Sequence, residues 1–230
     1  MGKGAIDTDH PYYIGNIGMH GTYAGNMAIS NCDVLFSIGT RFSDRVTGKI
    51  SDFAKHAKIV HIDIDSSSIS RNIVVDVPIV ADAKEAIVAM QRYVKEYDTA
   101  QWMEEIHAWD REHPLHMKKG WGITPEAIID AVSEHKENAI VVTDVGQHQM
   151  WTTQYLKMDA STRLLTSGGM GTMGYGLPGA IGAQLARPDK RVFCITGDGG
   201  FQMNIQEMAT AVAQELPIVI CLFNNHYLGM

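Results

Sequence analysis

Apolar positions in the second half of the chain fall into short continuous runs separated by stretches with helical spacing. The runs are rich in β-branched residues and predict buried strands at residues 139–143, 163–166, 191–196 and 218–223. Apolar residues three and four positions apart predict helices at residues 125–136, 148–157, 175–186 and 203–215. Thr124 followed by Pro125 is a typical helix start. This alternation of helix and strand predicts a doubly wound parallel sheet.

The first half of the chain has the same two kinds of pattern. Strands are predicted at residues 34–38 and 59–64, and helices at residues 24–30, 83–97 and 101–112. We therefore expect an α/β protein with two domains, each a parallel sheet flanked by helices. The first domain is predicted over residues 1–98, a helical linker over 99–123 and the second domain over 124–230.

Composition narrows the class of protein without pointing to a chemistry. Of 230 residues, 45% are hydrophobic and 20% are charged, as in ordinary globular domains. A net charge of −7 argues against nucleic acid and anionic membranes as partners. Cys32, Cys194 and Cys221 are isolated from one another, so no disulfide framework is expected. No apolar stretch is long enough for a membrane span and the first residues are not a signal peptide, so we expect a cytoplasmic protein.

Polar residues directly follow the last two predicted strands. Gly197-Asp198-Gly199 comes after the first of them, and Asn224-Asn225 comes after the second. A strand, a helix and a further strand form a right-handed unit with parallel strands, so Asp198 and Asn225 should emerge at the same edge of the sheet. Carboxylate and amide oxygens suit Mg²⁺, which shares its remaining coordination places with phosphate oxygens. The sequence therefore predicts a metal–diphosphate site, against the alternative that both segments are surface turns.

Asp198 and Asn225 belong to a longer pattern, GDG followed after 24 residues by NN, which resembles the signature of thiamine diphosphate enzymes. The surrounding sequence is similar to the catalytic subunit of the acetohydroxyacid synthase (acetolactate synthase) family. The resemblance implies a middle domain of the flavin-binding type followed by a diphosphate-binding domain. It is carried by five blocks in the family's order: GMHG at 18–21, RFSDRVTG at 41–48, DVGQHQMW at 144–151, SGGMGTMGYGLPGAIGA at 167–183 and GDGGFQMNIQE at 197–207.

The resemblance implies a coenzyme site in the second domain. Tyr227 would hold Mg²⁺ through its backbone carbonyl, and Met173 would wedge the coenzyme into a bent shape. Glycines beside the diphosphate let the backbone approach it closely. The residues matching the metal ligands, the diphosphate segment and the aminopyrimidine contacts are, in that order, Asp198, Asn225 and Tyr227; Gln147, His148, Gly199 and Gly200; and Gly171 and Met173.

The first domain resembles the FAD-binding part of the family. Asp63 ends a predicted strand, where an acid can accept hydrogen bonds from a ribose; without the family blocks it would be only a polar strand end. Ser43 departs from the family, which often has Asp there. The block from Arg41 to Gly48 favours the FAD-containing anabolic enzyme over the flavin-free catabolic one. The residues matching the flavin segments are Gly18, Met19, His20, Gly21, Gly39, Arg41, Arg45, Val46, Asp63 and Asp82.

By resemblance, the protein would decarboxylate pyruvate with thiamine diphosphate and condense the product with a second 2-keto acid. This is the first common step of branched-chain amino acid biosynthesis. The full-length subunit would form a homodimer or tetramer, and a small regulatory subunit is a further candidate partner. Both ends of the chain look cut, and the family's catalytic glutamate lies outside it. We therefore expect no catalytic residue within this chain and no turnover by the chain alone.

Other interpretations stay open at this point. One is another thiamine diphosphate-dependent 2-keto acid decarboxylase or oxidase, which product analysis from pyruvate would reveal. A second is a non-catalytic nucleotide-binding module, which would retain flavin without binding thiamine diphosphate. The segment from Gly169 to Gly174 also matches the dinucleotide fingerprint, but it lacks the acid expected about 20 residues later.

Overall fold

The structure, a computed structural model, describes residues 2–117, 120 and 122–230. These residues form two compact units, one made of Ile14–Leu115 and the other of the segment up to Tyr13 together with His116–Met230. The boundaries of these units differ from those of the domains predicted over residues 1–98 and 124–230. The reason for one difference lies at the start of the chain, where three hydrogen bonds of 2.8, 2.9 and 3.1 Å join Thr8 to Met158.

The smaller unit contains a three-stranded parallel sheet in the order β1-β2-β3. Its fourth helix, predicted as part of a linker, packs on the first helix of the same unit. The strands are β1 (Val34–Ile38), β2 (Lys58–Asp63) and β3 (Val77–Val80). The helices are α1 (Tyr23–Asn31), α2 (Asp44–Thr47), α3 (Ala83–Gln91) and α4 (Ala100–Glu112), with 3₁₀ turns at Ile50–Asp52 and Ser66–Ser68.

Two features of this unit differ from the sequence pattern. Strand β3 has no counterpart among the predicted strands; it is short and contains Pro78, a residue that sheets accept on an edge strand. The helix predicted over 83–97 is wrong beyond Gln91. Tyr93 and Tyr97 are 72% and 80% exposed, so this stretch has little packing to stabilise further helical turns.

The larger unit contains a four-stranded parallel sheet in the order β5-β4-β6-β7. Thr124 caps its first helix as predicted, accepting a hydrogen bond of 3.2 Å from the Ala127 N–H. The strands are β4 (Ala139–Thr143), β5 (Arg163–Thr166), β6 (Arg191–Gly197) and β7 (Val219–Phe223). The helices are α5 (Pro125–Ser133), α6 (Gln147–Tyr155), α7 (Gly176–Ala186), α8 (Asp198–Met203) and α9 (Met208–Ala213), with a 3₁₀ turn at Ile205–Glu207.

Apolar layers cover both faces of this sheet. On one face Val141 and Ile195 pack with Ile129 of α5, and on the other Val142 packs with Leu177 of α7. Because successive side chains of a strand point to opposite faces, the fully buried β4 serves both layers. The chain leaves β4 for β5 on one side and returns to β6 on the other. The carboxyl ends of β4 and β6 therefore flank a topological switch point, where open α/β sheets bind ligands.

The helix predicted over 203–215 is wrong as a single helix. Helix α8 already begins at Asp198, and a 3₁₀ turn separates it from α9. Asn204 leaves the helical conformation, with φ −135° and ψ 29°, and its Nδ2 donates a 2.7 Å hydrogen bond to the Gly174 carbonyl. A contact with a distant loop thus interrupts the helix.

The structure bears on two expectations from the sequence, the absence of disulfides and the absence of a membrane-spanning segment. All three cysteines are free. Over the described parts of the chain, every helix is too short or too polar to cross a membrane.

Candidate functional site

A cavity of about 190 Å³ lies at the carboxyl ends of β4, β6 and β7. It is bounded by the loop after β4, the starts of α6 and α8, the loop before α7 and the segment after β7. All nine residues that the sequence resemblance assigned to the coenzyme and metal line this one cavity: Gln147, His148, Gly171, Met173, Asp198, Gly199, Gly200, Asn225 and Tyr227.

Strand register explains why residues so far apart in sequence meet here. Thr143 of β4 pairs with Ile195 of β6, and Gly197 pairs with Phe223 of β7. Strands β6 and β7 therefore end at the same level of the sheet, and β4 ends two residues before that level. Parallel pairing of the three strands thus brings Asp198 and Asn225 to one edge, as their spacing predicted.

His148 is the most buried polar side chain of the cavity wall. Only 5% of its surface is exposed, and its Nε2 atom has no hydrogen-bond partner within the described residues. Burial lowers the pKa of this histidine, and the carboxylates of Asp144 and Asp198 oppose the shift only in part. An unpaired polar atom in such a place is destabilising, so a ligand that forms a hydrogen bond with it would relieve the penalty.

Two glycines make room for the His148 ring. A Cβ atom at Gly146 would lie 2.8 Å from its Cε1, and one at Gly197 would lie 2.9 Å from its Nδ1. Gly146 also has a φ of +148°, a conformation that side chains other than glycine rarely adopt. The ring is therefore packed between two glycines, and a side chain at either position would displace it.

Asn225 forms hydrogen bonds through both atoms of its amide. Its Nδ2 donates to Gln147 Oε1 at 2.7 Å, and its Oδ1 accepts from the Tyr227 N–H at 3.1 Å. Gly229 packs directly on the Gln147 amide, because a Cβ atom there would lie 2.5 Å from Gln147 Nε2. The segment after β7 is thereby joined to the start of α6 across the cavity.

The cavity wall has few charges. Among the described residues that line it, Asp198 has the one carboxylate side chain, and none is a lysine or arginine. Those ranges also contain no cluster of three or more His, Cys, Asp or Glu side chains that could hold a metal alone. A cation at Asp198 would therefore need oxygens from amide groups, the backbone and a bound anionic ligand.

Met173 reaches the cavity from a loop with its own hydrogen bonds. Ser167 Oγ accepts from the Thr172 N–H at 3.1 Å, and the Gly171 N–H donates to the Ser167 carbonyl at 2.7 Å. A Cβ atom at Gly199 would lie 3.6 Å from the Met173 Cε methyl and 2.6 Å from a Leu228 methyl. Gly199 therefore allows close approach of apolar side chains to the start of α8.

Asp144, at the end of β4, was given no role in the sequence analysis. It is 1% exposed, and its carboxylate accepts hydrogen bonds from the N–H groups of Val145 at 2.6 Å, Gly174 at 3.0 Å and Gly176 at 3.0 Å. A Cβ atom at Gly200 would lie 2.8 Å from Asp144 Cγ. This carboxylate ties together β4, the loop before α7 and the start of α8. A signal was available: an acid follows a fully apolar strand and opens a glycine-containing block.

A second cavity, of about 420 Å³, lies in the smaller unit and involves four of the ten residues matched to flavin segments. Gly18 and Met19 line one side and Arg45 and Val46 the other. The two segments are joined by a hydrogen bond of 2.8 Å from the Met19 N–H to the Arg45 carbonyl. Gly18 has a φ of +88°, and a Cβ atom there would lie 2.7 Å from Val46 Cα. Glycine is therefore required for this approach.

The other six residues matched to flavin segments do not line this cavity. Gly39 follows β1, Asp63 is the last residue of β2 and Asp82 comes shortly after β3, so they share the carboxyl edge of the small sheet. Asp63 accepts a hydrogen bond from the Asp65 N–H, and Asp82 caps α3 by accepting from the Lys84 N–H, both at 2.9 Å. These acids therefore have structural roles. The remaining three are Gly21, packed against the Asn16 carbonyl, Arg41, whose carbonyl accepts from Asn72, and His20, in the loop directly before Gly21.

Comparison with known proteins decides the family. Residues 144–230 match the family described as thiamine pyrophosphate enzyme, C-terminal TPP binding domain, and residues 1–90 match the central domain of the same enzymes. The chain belongs to the thiamine pyrophosphate enzyme family. Thiamine pyrophosphate is another name for thiamine diphosphate. The first of these matches contains the whole wall of the 190 Å³ cavity, and the second contains the flavin-matched residues.

Within this thiamine pyrophosphate family the chain is homologous to acetolactate synthase large subunits. It is 46% identical over 250 residues to a probable acetolactate synthase large subunit of Methanococcus aeolicus. Identity is 42% over 233 residues with the isozyme 2 large subunit of Escherichia coli K12, and 43% over 237 residues with the large subunit of Porphyra purpurea. Each match covers 100% of this chain but only 40–42% of the relative.

Replacing Asp144 by asparagine should lower the free energy of unfolding of this thiamine pyrophosphate enzyme chain by about 2 kcal/mol or more. An asparagine amide would turn its own NH₂ toward one or more of the three N–H donors, leaving them unpaired. Urea unfolding measures the change. Asp189→Asn is the matched control, since the exposed Asp189 pairs at the surface with Arg187 and should matter little. Equal losses in both variants would contradict a special role for Asp144.

Stability should fall as the pH is lowered from about 7.5 to about 5.5, across the ordinary histidine pKa of about 6.5. The lowered pKa of His148 means that the unfolded chain takes up a proton at a pH where the folded protein leaves the ring neutral. The His148→Phe variant should lose this part of the pH dependence. His135→Phe, at an exposed position, should keep it. Urea unfolding of the three proteins at several pH values tests this; identical profiles would count against it.

Proposed function

We propose that the 190 Å³ cavity is the diphosphate and metal site of an acetolactate synthase. The observation that carries this proposal is the gathering of all nine family-matched residues around one cavity at the switch point between β4 and β6. The buried His148 supports it as well, because its Nε2 has no partner within the described residues and, when this nitrogen carries a proton, it can donate to a phosphate oxygen.

Asp198, Asn225 and the Tyr227 carbonyl would hold a divalent cation, with Mg²⁺ as the candidate. This donor set is all oxygen, which suits a hard cation of that kind. It is also too small for a complete coordination sphere, so a bound diphosphate would supply further oxygens. Gln147 and His148 would contact that diphosphate, with Gly199 and Gly200 allowing the backbone to approach it.

When bound, the coenzyme supplies the carbanion and the electron sink needed to decarboxylate a 2-keto acid. The residues of this chain bind, orient and exclude water. Met173 would contact the aminopyrimidine ring beside Gly171, and the apolar side chains of Trp151, Phe223 and Leu228 line the same cavity. An apolar wall lowers the local dielectric and strengthens the polar contacts to the coenzyme.

The relatives' names supply the proposed reaction. Synthesis of acetolactate joins two molecules of pyruvate with loss of carbon dioxide, and the protein would serve the first common step of branched-chain amino acid biosynthesis. The words "large subunit" in those names support assembly with a smaller subunit, and we also propose a homo-oligomer. The catalytic glutamate expected from the family would be contributed from outside these residues. Location in the cytoplasm stays a prediction from composition.

FAD is proposed as a second ligand, bound by the smaller unit. The 420 Å³ cavity supports this, because Gly18, Met19, Arg45 and Val46 bring backbone groups and a guanidinium to one place. Gly39, Asp63 and Asp82, at the carboxyl edge of the small sheet, would add contacts to the nucleotide. A module that binds flavin without any thiamine chemistry is the alternative function.

The function can be tested with a chimera. The corresponding segment of the Escherichia coli isozyme 2 large subunit is replaced by this chain, and acetolactate is measured with pyruvate, thiamine diphosphate and Mg²⁺. We expect activity, and we expect Asp198→Asn to lower it by about 100-fold or more because a metal ligand loses its charge. Asp189→Asn is the control. A folded chimera that binds the coenzyme without forming acetolactate would contradict the proposed reaction.

For the flavin, Arg45→Ala should weaken FAD binding by about tenfold, since a charged hydrogen-bond donor is lost. Quenching of FAD fluorescence during titration measures the affinity. Arg71→Ala removes an exposed arginine of the same unit that does not line the cavity, and it should leave the affinity unchanged. Absence of FAD binding by the unaltered protein would rule out the flavin proposal.

A further inference from the structure

The amide of Asn225 can take two orientations, which exchange its oxygen and its NH₂ group. Only the oxygen of an amide can bind a cation, while its NH₂ group would repel one. In the structure Nδ2 points to Gln147 Oε1, at 2.7 Å, and Oδ1 accepts from the Tyr227 N–H, at 3.1 Å. Both ends of the amide are therefore specified by a neighbour.

The reversed orientation would break both hydrogen bonds. Asn225 Oδ1 would face Gln147 Oε1, so two acceptors would oppose each other. Asn225 Nδ2 would face the Tyr227 N–H, so two donors would oppose each other. Turning the Gln147 amide as well would repair the first contact but leave the second. The arrangement present in the structure is thus the one that satisfies all three groups.

Gln147 is itself held in place. It is the first residue of α6, directly after Gly146. Its amide lies against Gly229, where a Cβ atom would be 2.5 Å from Nε2 and 2.7 Å from Oε1. Any larger residue at 229 would displace the Gln147 amide from Asn225.

We propose that Gln147 is a positioning residue that, together with the Tyr227 N–H, holds the Asn225 amide so that its oxygen faces the divalent cation, and thereby sets the cation affinity. This role rests on the proposed function, in which Asp198 and Asn225 hold a cation at a diphosphate. It goes beyond a direct contact between Gln147 and the diphosphate. With Oε1 engaged by Asn225, the Nε2 donor is left for the diphosphate, so one side chain serves both ligands.

A double-mutant cycle tests this role with Mn²⁺ as the probe. Free Mn²⁺ is counted by electron paramagnetic resonance in the presence of saturating thiamine diphosphate, using the complete protein. Gln147→Leu should weaken Mn²⁺ binding by about tenfold or more, as is typical when a group that orients a metal ligand is lost. In the Asn225→Asp background either oxygen can bind the metal, so the same change should alter the affinity by less than about threefold.

Gly229→Ala provides a second variant that keeps Gln147 but displaces its amide. It should also weaken Mn²⁺ binding when residue 225 is Asn and have little effect when it is Asp. This variant carries the test if Gln147→Leu does not fold, as judged by circular dichroism.

The outcomes separate the two proposals. The positioning role would be overturned if Gln147→Leu and Gly229→Ala weakened Mn²⁺ binding equally with Asn and with Asp at residue 225. Both changes would then act only through the contact of Gln147 with the diphosphate. If the unaltered protein binds no Mn²⁺ with thiamine diphosphate, the proposed function itself fails, and the positioning role fails with it.

Discussion

The hydrogen bonds to the Asp144 carboxylate are the interaction on which the larger unit's cavity depends. Three backbone N–H groups from two separate segments meet at this one side chain, and Gly176 and Gly200 pack against it without a Cβ. The loop that carries Met173 and the helix that begins with Asp198 are thereby fixed to the end of β4. A buried charge that is fully hydrogen-bonded in this way rigidifies its surroundings, whereas a partly satisfied one would destabilise them.

Around that anchor, the cavity is prepared for a ligand before any ligand binds. His148 is buried with a polar atom unpaired, and glycines on both sides keep its ring in place. Holding such a group away from water is unfavourable for the free protein. The unfavourable term disappears when a ligand forms a hydrogen bond with this atom, so it adds to affinity without further ordering of the chain. The cavity thus trades some folding stability for recognition.

The sequence predicted the strands better than the interruptions between them. Strands such as β4 and β6 are continuous apolar runs, a local signal, and their bounds were predicted to within one residue. The single helix over 203–215 was wrong because Asn204 binds the Gly174 carbonyl, 30 positions away. Asp144 acts through the N–H of its neighbour Val145 and through those of Gly174 and Gly176, 30 and 32 positions away. In the larger unit, all nine residues matched through the family blocks line one cavity. In the smaller unit, only four of the ten matched residues line its cavity. Asp63 and Asp82, which do not, form hydrogen bonds to nearby backbone N–H groups instead.

The scarcity of positive charge around the larger unit's cavity has a thermodynamic consequence. Within the described residues its wall offers a neutral histidine and one carboxylate, and no lysine or arginine. On the proposed function, a diphosphate entering alone would meet Asp198 as a like charge, and a cation entering alone would find an incomplete set of oxygens. Each ligand therefore raises the affinity for the other by the same factor, as linkage requires. Removing the cation with a chelator would then release the coenzyme, and the two would enter and leave the protein as a pair.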